Sequence, residues 1–354
     1  MNPDRWEMGS LFHLAEVPPG EVRAAWANHP HALFASGRDA LRWLLSTRPP
    51  GRLLVPSFFC QDVVRSLVEV VQQVVVYADS PLQPAPAWAD IPLQAGDAVL
   101  RVAYFGVRSA GGGGPVPDGV TVIEDHTHGP CGAPARASEA DFCIASLRKL
   151  WPLADGGALW SPRAHPVPDP PEVSADAERA SGIKLAGMVL KAQYLGGEHV
   201  EKATFRELLD RGERGLYGPH PSGITPWSRA LLDTIPFESL EQARRARFAR
   251  LVAALPGLPG YEVLHPAAPG LVPFSAFFVF DRAGARDAVH RDLVDQRVYA
   301  SGLWPLDDPL LPGVPEAHRD LARRSFSVPV DVRYTLADMD VAATRIAAVL
   351  RRWL

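Results

Sequence analysis

The sequence predicts an α/β protein with a large domain, built on a mostly parallel sheet between helices, and a smaller C-terminal α+β domain. Three observations carry this prediction. Strand-like and helix-like segments alternate over residues 35–235, and the rhythm changes from about residue 236 onwards. The length of 354 residues also exceeds that of one typical domain. We therefore expect an N-terminal segment over residues 1–34, a large domain over 35–235 and a small domain over 236–354.

The individual elements follow from the apolar pattern. The first helix begins after Ser36, because apolar residues recur at helical spacing until two prolines at residues 49–50 end the run. Short apolar runs predict strands at residues 52–55, 73–77, 98–104, 120–124, 140–145 and 156–160. Helical spacing predicts helices at residues 63–71, within 174–213, and at 240–255, 283–297 and 336–354. Two further strands are expected at residues 275–280 and 298–300.

The composition narrows the class of function. The chain has 36 basic and 40 acidic residues and a net charge of −4, which argues against a nucleic-acid partner. No apolar run approaches the ~18 residues of a membrane helix, and no apolar signal segment is visible, so we expect a cytoplasmic protein with no membrane partner. The three cysteines form no Cys-x-x-Cys pair, so they make neither a disulfide framework nor a cysteine-only metal site.

The start of the first predicted helix is a candidate anion site. Ser36, Gly37 and Arg38 lie there, where unpaired backbone N–H groups and the helix dipole attract a group such as phosphate. An ordinary serine cap would give the same pattern, so this segment alone does not establish a site.

A second candidate is the end of the predicted strand over residues 120–124, which is followed by Asp125, His126 and His128. A buried aspartate at a strand end can pair with a protonated pyridinium nitrogen and keep it charged. The two histidines share one face of an extended strand, so a metal site together with Asp125 is an alternative. A purely structural aspartate is the third alternative.

The third candidate is Lys149, which follows a short predicted strand and precedes the glycine pair at residues 156–157. A lysine so placed can present its amine to a carbonyl cofactor, and burial and nearby positive charge would favour the reactive free amine. Ser146 and Lys149 also match the Ser-x-x-Lys motif of serine acyl-enzymes. That class requires a Lys-Thr-Gly segment, and no lysine of this chain is followed by threonine.

Taken in order, these motifs resemble the fold-type-I pyridoxal 5'-phosphate (PLP) enzymes, and most closely the DegT/StrS-like sugar aminotransferases. The resemblance covers nearly the whole chain. It is carried by the Ser-Gly helix start, the Asp-x-x-His strand end and the lysine before Gly-Gly. Residues 54–59 resemble the family's strand-Pro segment, and residues 325–331 resemble its late Leu-Ser-Leu-Pro strand.

The resemblance implies a role for each motif. PLP would form a Schiff base with Lys149, Asp125 would keep the ring nitrogen protonated, and His128 would bond near the phenolic oxygen. The remaining cofactor contacts would be Ser36, Gly37, Arg38 and Ser146 at the phosphate, and Phe58 or Phe59 on the ring face. The family's enzymes are homodimers, so the resemblance also implies a homodimer whose residues 218–228 reach the partner's cofactor.

The sequence departs from the family pattern at two places near the cofactor motifs. Where the family has serine and histidine before the lysine, this chain has Ile144 and Ser146, so the phosphate contact would run through Ser146. Residues 221–225 replace the family's Asn/Arg-rich segment from the partner subunit, which leaves that phosphate contact in doubt.

A third departure concerns the substrate. Residues 329–334 replace the family's late Pro-x-His motif and bring in Arg333. Arg333 and Arg324 are candidate substrate contacts, because a guanidinium can hold a carboxylate through two parallel hydrogen bonds. The alternative, which the sequence favours, is that both arginines are structural or lie at the surface. Tyr104, at the end of a predicted strand, is a further candidate.

Four functions follow from these motifs. The leading hypothesis is an aminotransferase that moves an amino group from a small amino donor to a keto or aldehyde acceptor, either a sugar or a natural-product intermediate. The second keeps PLP but replaces transamination by elimination, decarboxylation, cyclisation or carbon–carbon bond formation on an amino acid. The third is a metal hydrolase using Asp125, His126 and His128. The fourth is a non-catalytic relative, against which the intact pair of Lys149 and Asp125 argues.

Overall fold

The computed structural model describes residues 2–17, 24–86, 88–112 and 114–354. The strands of this part of the chain are β1 (Met8–Gly9), β2 (His31–Phe34), β3 (Leu53–Pro56), β4 (Val74–Tyr77), β5 (Ala98–Val102), β6 (Thr121–Asp125), β7 (Phe142–Ser146), β8 (Gly157–Trp160), β9 (Tyr261–Val263), β10 (Ser275–Phe280), β11 (Val298–Tyr299) and β12 (Ser325–Pro329). The helices are α1 (Gly37–Thr47), α2 (Gln61–Leu67), α3 (Ala133–Arg136), α4 (Ala175–Gly196), α5 (Lys202–Gly215), α6 (Pro226–Leu232), α7 (Phe237–Ala253), α8 (Ala283–Asp295), α9 (Glu316–Arg323) and α10 (Leu336–Trp353).

Seven strands form one sheet in the order β2-β8-β7-β6-β5-β3-β4. Only β8 runs antiparallel to its neighbours β7 and β2, so the prediction of a mostly parallel sheet is confirmed. The carboxyl ends of β2, β3, β5, β6 and β7 therefore lie at the same edge of the sheet. Open α/β sheets bind their ligands at this edge.

Both faces of the large sheet are buried. Along β5, Leu100 enters a core that includes Leu41 of α1, whereas Val99 enters the opposite core with Trp160 and Phe237 of α7. Successive side chains of a strand point to opposite faces, so an apolar run such as Ala98–Val102 fits a strand covered on both sides. This explains why short apolar runs located most of these strands correctly.

The smaller sheet has the antiparallel order β12-β10-β9, and β1 near the N-terminus pairs with β11 in a separate parallel pair. On β10, Phe278 packs into the C-terminal core with Ile346 of α10, while Phe277 on the other face joins a core of the large sheet. The strand β2 belongs to the seven-stranded sheet although it precedes residue 35. The domain boundaries at residues 35 and 236 stay predictions.

The helices α4 and α5 pack closely because glycine lies at their contact. A Cβ added at Gly212 would lie 2.5 Å from the Cβ of Lys184, and one at Gly187 would lie 2.9 Å from the backbone nitrogen of Leu209. This approach brings Lys184 of α4 beside Glu213 of α5. No helix in the described part of the chain, not even the 22-residue α4, has the length and apolar character needed to cross a membrane.

Candidate active site

A cavity of about 80 Å³ lies at the carboxyl edge of the large sheet. It brings together most of the side chains that the sequence analysis singled out: Ser36, Gly37, Arg38, Phe59, Asp125, His128, Ser146 and Lys149. Other residues lining it were not singled out: Thr127, Arg148, Tyr217 and Trp304. Its walls come from the ends of β2, β3, β6 and β7 and from segments more than 60 residues further along the chain.

One end of the cavity is the N-terminus of α1. Ser36 caps this helix, its Oγ accepting a hydrogen bond from the backbone N–H of Asp39 at 3.1 Å. The N–H groups of Gly37 and Arg38 belong to the first turn, where no carbonyl of the same helix is available to them. Gly37 lies so close to β7 that an added Cβ would be 2.8 Å from the backbone nitrogen of Ser146. This end can therefore bind an anion between the helix start and Ser146.

The guanidinium of Arg38 lies at the same end but is already engaged. Its Nη2 donates to the carbonyl oxygen of Leu216 at 2.9 Å, and it lies 3.9 Å from the ring centre of Tyr217. Asp39 is buried in this first turn, and burial raises its pKa to about 6 although Arg38 and Arg42 lie nearby.

Asp125 is the last residue of β6 and is buried at the cavity wall. Its Oδ1 accepts a hydrogen bond from the backbone N–H of Thr127 at 2.8 Å, while the Oγ1 of Thr127 accepts one from the N–H of Ser146 at 3.0 Å. Burial raises the pKa of the Asp125 carboxyl, against the opposing effects of the Thr127 hydrogen bonds and the charge of Lys149. A cation next to this carboxylate would be strongly held.

Lys149 lies in a short helical turn directly after β7 and is half-buried. Its Nζ lies 5.9 Å from the ring centre of Trp304. The neighbouring Arg148 forms an ion pair with Glu213, with nitrogen–oxygen distances of 2.5 and 2.6 Å, and Lys184 binds the same carboxylate at 2.8 Å. Burial alone would raise the pKa of Glu213, but Arg148 and Lys184 hold it well below its usual value.

His128 is a buried, neutral hydrogen-bond donor. Burial and the charge of Lys149 lower its pKa well below the usual value, so the imidazole is uncharged. Its Nδ1 accepts from the backbone N–H of Phe105 at 3.2 Å, so the proton lies on Nε2. That Nε2 is buried and has no hydrogen-bond partner among the described residues. The ring stacks near Trp304, with 5.7 Å between ring centres.

The two aromatic candidates on the loop after β3 have different environments. Phe59 lines the cavity and packs edge-on against Trp304, with 5.7 Å between ring centres. Phe58 is fully buried and packs against Tyr104 and Phe105. It does not line the cavity, so Phe59 and Trp304 are the side chains that could contact a flat ligand there.

The glycine pair after Lys149 permits a close approach between two segments of the cavity wall. A Cβ at Gly157 would overlap the backbone of Ser36, and Gly156 has a positive φ of 147° that disfavours other residues. The preceding Asp155 is fully buried and accepts hydrogen bonds from Ser181 and Thr225, each at 2.6 Å. These contacts fix the lysine loop against α4 and the start of α6.

A second cavity of about 310 Å³ shares His128, Arg148, Lys149 and Tyr217 with the first. Arg333 lines it, as a substrate contact would require, but its guanidinium is already bound. Two of its nitrogens donate to the carboxylate of Asp331 at 2.8 and 2.7 Å, and a third donates to the carbonyl oxygen of Ser10 at 2.8 Å. Arg333 is therefore not a free anchor for a substrate carboxylate.

Two other predicted substrate contacts do not reach either cavity, and these predictions are corrected. Tyr104 is completely buried and donates its hydroxyl to the carbonyl oxygen of Phe58 at 2.8 Å, because β5 ends at Val102 and the chain turns inward. Arg324 lies at the end of α9, where it donates to Asp320 and to the carbonyl oxygen of Phe280. Neither side chain lines the cavities described above.

The metal alternative is not supported by the geometry. Asp125 and His128 line the first cavity, but His126 points to the other side of the sheet, where its Nε2 lies 2.9 Å from the Glu124 carboxylate. Within the described residues, the group closest to a metal-ligand set is Glu124, His126 and Cys143, and all three are buried. Alternation along the strand end separates His126 from Asp125, so the predicted triad does not converge.

The predicted segment at residues 218–228 contacts α1 and the end of β2 of its own chain. Arg42 of α1 donates to the carbonyl oxygens of Gly218 and Pro219, at 3.2 and 2.6 Å, and Gly223 pairs with Phe34 at the end of β2. Its reach towards a partner subunit stays a prediction.

Sequence reasoning missed several residues that line the first cavity, and four polar or aromatic ones illustrate two reasons. Thr127 and Arg148 are direct neighbours of the predicted motifs. Thr127 also lies two residues after Asp125, the spacing of a turn in which an aspartate accepts a backbone hydrogen bond, so the local sequence could have indicated Thr127. Tyr217 and Trp304 lie far away along the chain, and nothing in their local sequence marks them.

The comparisons with known proteins agree with this fold. No protein-family model and no curated protein matches the chain. Solved structures do match: the aminotransferase TlmJ from Streptoalloteichus hindustanus has a TM-score of 0.60 at 16% identity, covering 91% of this chain and 86% of its own. DesI, solved in the presence of its TDP-sugar product, has a TM-score of 0.60 at 17% identity, covering 91% of this chain and 81% of its own. A DegT DnrJ EryC1 StrS aminotransferase from Brucella abortus has a TM-score of 0.54 at 17% identity, covering 90% of this chain and 85% of its own.

These similarities confirm the fold that the sequence motifs led us to expect. The chain has the fold of these solved aminotransferases. At identities below one fifth, the similarity concerns the fold, and the activity has to be argued from the cavity.

Proposed function

We propose that this protein is a PLP-dependent aminotransferase that acts on a keto or aldehyde sugar or natural-product intermediate. One observation carries the proposal: Lys149, Asp125, the neutral His128 and the start of α1 all line one cavity. The structural neighbours include an enzyme described with its TDP-sugar product, which supports a sugar as the acceptor. The other PLP reactions would use the same residues, and no observation favours them.

The residues fit the cofactor. The unpartnered, buried Nε2–H of His128 is a donor that a phenolic oxygen would satisfy. The first turn of α1 would hold the phosphate through the N–H groups of Gly37 and Arg38, together with Ser146. Glycine at residue 37 lets this helix start approach the backbone of Ser146 closely. Phe59 and Trp304 border the space that a ring would occupy.

Bound PLP supplies a carbonyl that combines with amines and a ring that accepts electrons from the bond being broken. The chain's own residues do the rest. Lys149 Nζ would anchor the cofactor and, once free, would move a proton at the substrate carbon that bears the amino group. Asp125 is buried at the strand end. Its carboxylate would pair with the protonated ring nitrogen and keep the proton there, because a neighbouring cation favours the ionised form of a buried carboxyl.

The proposal includes a homodimer and a cytoplasmic location. Tyr217 at the mouth of both cavities is 46% exposed, and residues 218–228 adjoin it, so a second copy could complete the site there. Light scattering of the purified protein tests the dimer, and fractionation of producing cells tests the location. A monomer at micromolar concentration would remove this part of the proposal.

The experiment is reconstitution with PLP, reduction with borohydride and mapping of the labelled peptide. We expect the label at Lys149 and its loss in Lys149→Ala, whereas the control Lys202→Ala, far from the cavity on α5, keeps it. Addition of amino donors should then convert bound PLP to its amine form. Labelling without conversion would point to non-transamination chemistry, and no labelling at Lys149 would refute the proposal.

A further inference from the structure

The second cavity adjoins Lys149 and is large enough for an organic substrate. Its volume of about 310 Å³ compares with about 80 Å³ for the first cavity. Besides Lys149, its lining includes residues of β10 and β12, the N-terminal segment around Ser10, and Ser301. A substrate whose reacting carbon meets Lys149 would place its remaining atoms in this space.

The far wall of the cavity is one face of two paired strands. On β10, Ala276 and Phe278 turn into the C-terminal core, whereas Phe277 turns to the large domain. Ser275 lies on the same face as Phe277, because side chains alternate along a strand. The register pairs Phe277 with Ser327, which brings a second serine to this face. Both serines line the cavity, and the face that meets the substrate is rich in hydroxyl groups.

Ser275 has an unsatisfied hydroxyl. The residue is 1% exposed, and its Oγ has no hydrogen-bond partner within the described part of the chain. A buried hydroxyl without a partner is unfavourable, so such groups are normally paired. Because Ser275 lines the cavity, a polar atom of the substrate can supply the missing partner.

Apart from Lys149, the acidic and basic side chains that line the cavity form ion pairs with one another. Arg333 and Asp331 form a two-bond ion pair at the far end. At the near end, Glu213 lies between Lys184 and Arg148. Both guanidinium groups are thus engaged in ion pairs, whereas the hydroxyl of Ser275 has no partner among the described residues. The chemistry of the far end suits a neutral, hydroxyl-bearing ligand.

We propose that Ser275 is a specificity-determining residue of this cavity, whose hydroxyl hydrogen-bonds a hydroxyl group on the uncharged ring of the acceptor. The inference rests on the proposed function for the position of the reacting carbon. It goes further by naming the group that distinguishes a hydroxylated ring from an apolar one of the same size.

Ser325 provides a matched control. It lies on β12 opposite Val279, on the same face as Ser275, and its Oγ is likewise buried and without a partner among the described residues. It does not line either cavity described above. Ser275→Ala and Ser325→Ala therefore remove the same kind of group, and only the first removes it from the cavity wall.

The experiment measures dissociation constants by calorimetry for the PLP-reconstituted protein. The probes are the four positional isomers of monoamino-deoxy-D-glucose and cyclohexylamine, a six-membered ring amine without hydroxyls. We expect at least one amino sugar to bind more tightly than cyclohexylamine. Ser275→Ala should weaken the binding of that amino sugar by about five- to tenfold, which is the contribution of one neutral hydrogen bond. The affinity for cyclohexylamine should not change. Ser325→Ala should change neither, and Ser275→Cys provides a second variant of nearly native volume that should repeat the loss.

Three results would overturn the inference: equal weakening of both probes in Ser275→Ala, the same selective loss in Ser325→Ala, or no amino sugar binding better than cyclohexylamine. Borohydride labelling of Lys149 is scored in the same preparations. Selective binding without labelling would support the role of Ser275 and refute the PLP function. Labelling without selective binding would support the PLP function and refute the role of Ser275.

Discussion

The substitution Gly37→Ala tests whether the start of α1 is a phosphate site. Gly37 has an ordinary helical backbone, so alanine is tolerated conformationally and only the space is at issue. The added Cβ would lie 2.8 Å from the backbone nitrogen of Ser146 and 3.0 Å from the carbonyl carbon of Ala145. Ordinary contact begins near 3.4 Å, so the helix start and β7 must separate by about 0.6 Å. Both segments are backbone, and neither can yield by rotating a side chain.

The cost follows from two effects. Overpacking of this kind destabilises by about 1–3 kcal/mol. With an unfolding entropy of about 2.1 cal/mol/K per residue over 354 residues, the melting temperature falls by about 1–4 °C. The displacement also misaligns the N–H groups with the phosphate, and one charge-assisted hydrogen bond contributes about 1.5–3 kcal/mol, so PLP should bind about 10- to 150-fold more weakly.

The assay is titration of the PLP-free protein with PLP, followed by the quenching of tryptophan fluorescence, together with a thermal melt. Gly182→Ala is the control, because a Cβ at Gly182 within α4 meets nothing within 4 Å. We expect that variant to bind PLP normally and to gain about 0.5–1 kcal/mol in stability, since alanine favours the helix. Wild-type PLP affinity in Gly37→Ala would refute the reasoning.

Three further predictions concern single groups. Asp125→Asn should keep PLP bound but slow proton transfer about 10- to 1000-fold in single-turnover experiments. The reason is that loss of the neighbouring carboxylate lowers the pKa of the ring nitrogen by about 1–3. Unchanged rates would contradict this prediction. Burial raises the pKa of Asp39 to about 6, whereas the pKa in the unfolded chain is about 3.9. The folded protein is therefore most stable with respect to this group below pH ~4, where the carboxyl is protonated in both states. It loses this stability as the pH rises through 6 and the buried carboxyl becomes charged. Asp39→Asn should therefore be more stable than wild type by about 1–2 kcal/mol at pH 7 in denaturant melts, with the difference shrinking towards pH 4; a pH-independent difference would argue against burial as the cause. Gly212→Ala should lower stability by about 1–3 kcal/mol, because its Cβ would lie 2.7 Å from the Cα of Lys184, and a melt equal to wild type would show that α4 and α5 can move apart.

The sequence predicted the class of fold and the order of the main motifs for a physical reason. Apolar runs of four to six residues are what strands covered on both faces require, and β10 was predicted with its exact ends. The elements that were missed are short or partly exposed, so their apolar patterns are weak: β1, β2, β9, α3, α6 and α9. The N-cap at Ser36 was readable because capping depends only on residues next to each other in the chain.

The cavity was partly predictable for a related reason. Asp125 and Ser146 are the last residues of strands and Lys149 lies just after one, and parallel strands bring their carboxyl ends to one edge whatever the intervening sequence is. The spacing within each motif therefore carried information about the site. It did not tell whether Phe58 or Phe59 turns towards the cavity, since this depends on the backbone of the loop after β3.

By itself, the sequence determined which local motifs exist: a capped helix start, a carboxylate at a strand end, and a lysine followed by a glycine pair. Only the tertiary structure decided which distant residues join them. It brought Trp304 beside His128, engaged Arg333 with Asp331, and buried Tyr104. These outcomes depend on packing between segments far apart in the chain, where no periodicity or neighbour rule acts. They are decided by which contacts fill space and satisfy hydrogen bonds together.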